Sequence, residues 1–315
     1  MLSRVANSIY WMSRYMERAG NIARVIDVNF RLMLDLPAGM VVQWDALVRT
    51  TGDHETFMKR YQEATRAKVL QFLIFDPDNP NSILSCVRAA RENARSVREI
   101  ISSEMWEQVN KFYLTVTAAA GGGLDSPQDF FTEAKLASHL FVGLAHATMS
   151  RGQAWHFSRI GRTIERADKT SRLLDVKYFI LLPTVSDIGT PLDELQWTAV
   201  LGSASALEAY RQRYGRVAPE RTIEFLVLDR DFPRSIHYCI NQADRSLHEI
   251  SGTPAGSFRN RPEQLLGQLR SELDFAQVSD IIRGGLHEFL DTLQTRVNNV
   301  GTAIHDAFFA IRPAD

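Results

Sequence analysis

Residues 14–28 read RYMERAGNIARVIDV, and residues 162–176 read RTIERADKTSRLLDV. Aligning 11–28 with 159–176 gives seven identities in eighteen positions: Arg14/Arg162, Glu17/Glu165, Arg18/Arg166, Ala19/Ala167, Arg24/Arg172, Asp27/Asp175 and Val28/Val176. Further along, Gln43-Trp44 matches Gln196-Trp197 and Arg60-Tyr61 matches Arg213-Tyr214. The segment FLIFDPDNPNSILSCVRAA (72–90) then matches FLVLDRDFPRSIHYCINQA (225–243) at nine of nineteen positions, with Cys86 and Cys239 aligned. A collinear set of this kind predicts an internal duplication of a unit of about 150 residues. The repeats run roughly over 1–127 and 128–315. Two such units pack through their apolar faces, so residues 1–315 are expected to form one domain.

The unit is helical. Between Arg4 and Asp35, apolar side chains recur at Ile9, Met12, Met16, Ala19, Ala23, Ile26 and Phe30, a spacing of three or four that lines one helix face. Ser3 suits the start of this helix and Pro37 its end. The same periodicity predicts helices over about 41–50, 53–73, 81–118, 128–153, 155–181, 191–213, 219–228, 233–251, 261–272, 275–283 and 286–310. AAAGGGLDSP and SGTPAGSFRNRP read as the main loops. Strand alternation is scarce, and the expected class is an all-α helical bundle.

On a helical wheel Arg14, Glu17, Asn21 and Arg24 fall in one narrow sector, with Arg18 on its flank and the apolar face opposite. The second copy places Arg162, Glu165, Lys169 and Arg172 there, with Arg166 on the flank. Three readings compete. The stripes are solvated faces with pairs along the helix, such as Arg14–Glu17 and Glu17–Asn21, each contributing a few tenths of a kcal/mol, ~0.3. Or they form a partly buried ionic seam between the halves. Or they line a polar pocket that faces a ligand. A solvated face tolerates exchange among charged residues, yet the Glu and Arg positions are the same in both copies while apolar neighbours differ (Met16 against Ile164). Arginine is preferred where a fork of donors must meet a carboxylate.

A second stripe is confined to the first half. In SCVRAARENARSVREII, Arg88, Arg91, Glu92, Arg95, Arg98 and Glu99 are expected on one helix face, while Asn93 points towards the apolar side. The matching YCINQADRSLHEIS has lost most of these arginines. This stripe is either a solvated face, a docking surface for an acidic partner, or a carboxylate- or phosphate-binding wall.

Other candidates are weaker. Asp76-x-Asp78-x-Pro80-x-Ser82 and its match Asp229-x-Asp231-x-Pro233-x-Ser235 pair carboxylates in the manner of a metal site, but Pro and Asp also mark helix starts, and that reading is preferred. His139, His146 and His156 show no ligand spacing, and the triple glycine at 121–123 lacks the Lys-Ser/Thr of a phosphate loop. No metal and no cofactor are expected. Neither cysteine has the setting of a nucleophile. Net charge is −1, without the basic excess of a nucleic-acid binder. No run approaches the length of a membrane span and no secretory leader is evident, so a reduced cytoplasm is the expected compartment.

The segments MLSRVANSIYWMSRYMERAGNIARVIDVN, SILSCVRAARENARSVREIISSEMWEQVN, SHLFVGLAHATMSRGQAWHFSRIGRTIERADKTSRLLDVKYFILLP and DIGTPLDELQWTAVLGSASALEAYRQRYG resemble the bacterial alpha-E family, an all-helical domain with a Glu-Arg motif. The likeness covers nearly the whole chain. It implies that the motif falls on Glu17-Arg18 and Glu165-Arg166. It further implies a companion of an ATP-grasp-type ligase, in a pathway that makes or trims an amide-linked peptide. Transglutaminase-like and proteasome-like proteins accompany such systems. One departure is Gly20, where an acidic residue is expected and the second copy has Asp168. The residues themselves leave an alternative, a ligand-binding or enzymatic subunit whose Glu-Arg motifs hold a carboxylate or phosphate.

Overall fold

The computed structural model describes residues 1–35, 44–124, 126–180 and 190–310, and among these there is no strand. The helices are α1 (Ser3–Asp35), α2 (Trp44–Thr51), α3 (His54–Tyr61), α4 (Arg66–Leu70), α5 (Ile83–Arg95), α6 (Ser103–Gly122), α7 (Pro127–Thr148), α8 (Gln153–Ile180), α9 (Pro191–Ser203), α10 (Leu207–Tyr214), α11 (Pro219–Leu228), α12 (Ile236–Ser251), α13 (Arg261–Phe275), α14 (Val278–Gly284) and α15 (Leu286–Ile304). Single π-helical turns extend α4 through Gln71–Phe75 and α15 through His305–Phe309. None of the described helices is long and apolar enough to cross a membrane.

The two helices that carry the repeated stripe, α1 and α8, pack against each other along the centre of the molecule. Small residues allow the approach: Ser13 and Ser158 share a hydrogen bond of 2.8 Å, and a Cβ on Gly161 would lie 2.3 Å from the Tyr10 carbonyl oxygen. α5 and α7 cover α1, while α12 and α15 cover α8. From Ala6 to Phe30, α1 is buried or half-buried on every side, so it has no solvated face opposite its apolar one. Of the three readings of the stripe, the solvated face does not fit this burial. α7, which a division at 127/128 assigns to the second half, packs on α1 and α6, as α15 packs on α8 and α13. The packing therefore groups α7 with the first set.

Several long predicted helices are interrupted. The span 81–118 breaks after Arg95 into turns that bury Val97 and Ile101, and Ser102 restarts the chain by accepting the Met105 amide at 3.2 Å. The span 53–73 breaks at Gln62, which is left-handed (φ 63°), and 191–213 breaks at Ser205 (φ 50°). In each case local backbone geometry overrides an apolar period that runs on unbroken. Conversely, the expected loop at AAAGGGLDSP is helical as far as Gly122. The alanine run carries α6 onward until Gly123, with φ 86°, ends it. Pro37 and the start of the 41–50 helix lie outside the described residues.

The repeated Asp-x-Asp-x-Pro-x-Ser segments form the approach to a helix rather than its first turn. Asp76 Oδ1 accepts the Asp78 amide at 3.0 Å, and Asp229 Oδ1 accepts the Asp231 amide at 2.9 Å. The repeated Arg–Tyr pairs supply the counter-charge, Arg60 to Asp76 at 2.7 Å and Arg213 to Asp229. Neither Pro80 nor Pro233 is helical. The caps are Ser82, accepting Ser85 N at 3.1 Å, and Ser235, accepting Tyr238 N at 3.0 Å. Both serines are fully buried. Ser82→Ala and Ser235→Ala are each expected to cost about 1 kcal/mol, read by chemical denaturation. Equal losses in the two variants are the expected result.

Candidate functional site

The motif residues meet across the α1–α8 contact in reciprocal pairs. Glu17, on α1, accepts from Arg166 of α8 through a two-pronged contact, Nε to Oε1 at 2.9 Å and Nη2 to Oε2 at 2.8 Å. Glu165, on α8, accepts from Arg18 of α1 in the same manner, Nε to Oε1 at 2.6 Å and Nη2 to Oε2 at 2.9 Å. Each glutamate has one further guanidinium. For Glu165 it is Arg14, Nε to Oε2 at 2.9 Å; for Glu17 it is Arg234, Nη1 to Oε1 at 2.7 Å. The pairs expected along one helix, Arg14–Glu17 and Glu17–Asn21, are replaced by these contacts between helices.

Both carboxylates are out of water, Glu17 2% and Glu165 0% exposed. Burial alone would raise their pKa values. The facing guanidiniums win, holding Glu17 well below its ordinary value and Glu165 lower likewise. For Arg18 and Arg166, burial pulls down and the glutamate opposite pulls up more, so both stay above their usual range. The aligned cysteines lie beside this layer, fully buried, and burial pushes each thiol up to about 12, so neither is a nucleophile at neutral pH.

The two ends of the layer differ. In the second copy Arg172 is held by Asp168, Nε to Oδ2 at 3.0 Å, with Lys169 at 3.1 Å from the same carboxylate. The residue matching Asp168 is Gly20, and the space above it is taken by Ser138, whose Oγ a Cβ would meet at 2.4 Å. Ser138 donates to the Met16 carbonyl at 3.1 Å. Arg24, which matches Arg172, therefore has no carboxylate partner among the described residues. It donates to Asn21 Oδ1 at 2.7 Å and approaches His139 Nε2 at 3.3 Å. Arg162, which matches Arg14, gives up the Glu17 contact to Arg234 and approaches His146 Nε2 at 3.3 Å. Burial, reinforced by Arg166, lowers Arg162 to about 10.

Sequence reasoning did not single out Arg234 or the roles of His139 and His146. Arg234 had a signal. It is a strongly basic substitution in a matching segment, standing where the first copy has Asn81, and Asn81 itself accepts from Arg18 Nη1. The histidines are seven apart on α7, and they reach Arg24 of α1 and Arg162 of α8. Their contacts could be seen only once α7 was placed.

The second stripe is not one helix face. Arg88, Arg91, Glu92 and Arg95 lie on α5, but Arg98 and Glu99 follow its end, in the turn before α6. Arg95 pairs with Glu92 at 2.6 Å. Arg91 donates to Asn110 at 2.7 Å and stacks 4.9 Å from the Tyr113 ring, and Arg98 stacks 4.8 Å from Trp106. Asn93 turns back onto its own helix and donates to the Ala89 carbonyl at 2.8 Å. No group of three or more His, Cys, Asp or Glu side chains poised for a metal occurs among the described residues.

An all-helical body closed by reciprocal Glu–Arg pairs defines the class of the molecule. The chain belongs to the Alpha-E family, described as a predicted alpha-helical domain with a conserved ER motif, which matches residues 1–309. It is also similar to uncharacterized proteins of Mycobacterium bovis and Mycobacterium tuberculosis, 26% identical over 339 residues. Those matches cover 96% of this chain and 36% of each relative, so the chain spans about a third of the length of the curated relatives it matches. No solved structure matches it.

Proposed function

We propose that this domain is a helical companion, non-catalytic or co-catalytic, of an ATP-grasp-type amide or peptide ligase system. In this reading its Glu-Arg motifs hold the body together rather than perform chemistry. The observation that carries it is the saturation of both motif glutamates by paired guanidiniums away from water. A general acid must hold a proton near neutral pH and a general base must be able to take one. Carboxylates depressed and enclosed in this way do neither. The reciprocal contacts also support the view that the chain arose by duplication of one helical unit. The family resemblance points to the ligase, with transglutaminase-like and proteasome-like proteins as further members of the pathway. The mycobacterial relatives, in which the matching region is joined to a much longer chain, support a domain that works beside another.

The surface on which such a partner would sit is the cationic, aromatic-backed face of Arg88, Arg91, Arg95 and Arg98. Arg98 rests on Trp106 and Arg91 on Tyr113, which presents cations on a firm base instead of flexible stems. Tagged protein purified from its native cell extract at low salt is expected to bring down an ATP-grasp-type enzyme in stoichiometric amount, identified by peptide mass. Arg98→Glu with Arg88→Glu is expected to abolish the association, and added salt to weaken it. Recovery of the protein alone at low salt would overturn the companion reading.

A further inference from the structure

We propose that the cleft between α1, α7, α9 and α10 binds a small ligand by a carboxylate or phosphate group, with Arg24 as the anchor. The cleft encloses about 530 Å³, which is within the size range of small-molecule sites. Arg24 forms part of its wall although the residue is only 3% exposed. Its Nη1 is committed to Asn21, its Nη2 has the long contact to His139, and its Nε has no hydrogen-bond partner among the described residues.

Positive charge is in excess around Arg24. Glu17 already serves Arg166 and Arg234 directly, and the charges of Arg24 and Arg162 depend on that same carboxylate. A guanidinium does not give up its proton under ordinary conditions. Burying one without a counter-ion is costly, and an anion brought to it removes that cost. Burial, then the neighbouring Arg234, pushes Arg24 well below its usual pKa, against the pull of Glu17. The matching Arg172 shows what is missing, since Asp168 provides there the charge that Gly20 leaves out here.

Among the described residues that line the cleft, none provides it. Asp27 is engaged by Lys135 at 2.6 Å and Arg31 at 3.1 Å, and Glu208 is exposed on α10. His139 is a neutral stand-in. Partial desolvation at the rim and then Arg24 lower it to about 4, so near neutral pH it offers Arg24 only a lone pair. It is an exposed side chain at the rim and can swing aside for a charged acceptor. Much of the remaining wall is apolar, including Val28, Leu32, Leu136 and Leu195. The ligand is therefore an anionic head on an apolar body, and the inference stands whether or not a ligase is the domain's partner.

The test uses the whole protein and three probes of equal chain length, hexanoate, hexyl phosphate and hexanol, titrated by calorimetry. At least one anion is expected to bind more tightly than the alcohol. The tighter of the two identifies an acid-terminated or a phosphorylated ligand. Arg24→Gln is expected to weaken that binding by at least roughly tenfold. Because Arg24 is buried and this variant can lose its fold, Leu136→Glu serves as a second. Leu136 is 61% exposed at the cleft, and a carboxylate there is expected to weaken the anion by a similar factor with an unchanged thermal midpoint. Anions that bind no better than hexanol, or anion binding that Leu136→Glu leaves unaltered, would overturn the proposal.

Discussion

Glu165→Ala is expected to lower the unfolding free energy by about 3–5 kcal/mol, the usual consequence of removing one member of a buried ion pair. The loss comes less from a missing attraction than from what remains. Arg14 and Arg18 would face each other without the carboxylate that neutralises both. A second variant separates this role from a catalytic one. In Glu165→Leu combined with Arg18→Met, the stranded charge is reduced, and part of the stability lost by Glu165→Leu alone should return. A catalytic glutamate would show no such recovery. Chemical denaturation of the three proteins checks it, and a single and double variant of equal stability would contradict the seam.

The same pairs set the acid limit. Glu17 and Glu165 have folded pKa values below the ordinary 4.5, so the folded state binds fewer protons than the unfolded one in that range. Their contribution is complete above 4.5 and is lost as pH falls towards the depressed folded values. Wild-type stability should therefore drop steeply below that point, and the Glu165→Leu variant should drop less steeply.

Gly161→Ala is expected to be nearly as damaging, about 3 kcal/mol, by a purely steric route. The added carbon would stand 2.3 Å from the Tyr10 carbonyl, and backbone cannot rotate away as a side chain does. α1 and α8 must separate, which lengthens the Glu–Arg contacts that lie along the same line of approach. Gly143→Ala, in α7, is the control. Nothing lies within 4 Å of the added carbon there, and a gain of about 0.4–1 kcal/mol is expected. Thermal melts of both variants report the difference.

Much of this was legible before any coordinates. The Glu-Arg stripes could be found because they occur twice, and the retention of Arg over Lys pointed to forked contacts with carboxylates. The spacing of Ile9, Met12 and Met16 identified a buried face, and the matching cysteines fixed the register of the second repeated segment. Periodicity could not show where helices stop. Ser102 and Ser205 interrupt runs whose apolar pattern continues, because a cap or a positive φ is decided by a few backbone bonds. It also could not show which carboxylate an arginine meets. The partner of Arg18 is Glu165, 147 positions away, and not a neighbour on its own turn. Gly20 was visible as a departure from its copy, but its consequence for Arg24 required Ser138 and His139 of α7 to be in place.

The reciprocity of the two forks bears on how the chain reaches this structure. Each glutamate is neutralised by an arginine from the other copy, at separations of 147 to 151 positions for the α1–α8 contacts. A half that collapsed early would have to expose its glutamate and arginines to water or leave them uncompensated inside. Neither half is then a stable resting place, and the barrier to folding lies in closing a loop of some 150 residues, a slow event for a helical protein. Unfolding should follow the same logic and proceed as one cooperative transition, with no half surviving the other. The two sets of matching segments are in this way made to depend on each other, where repeats ordinarily keep their independence.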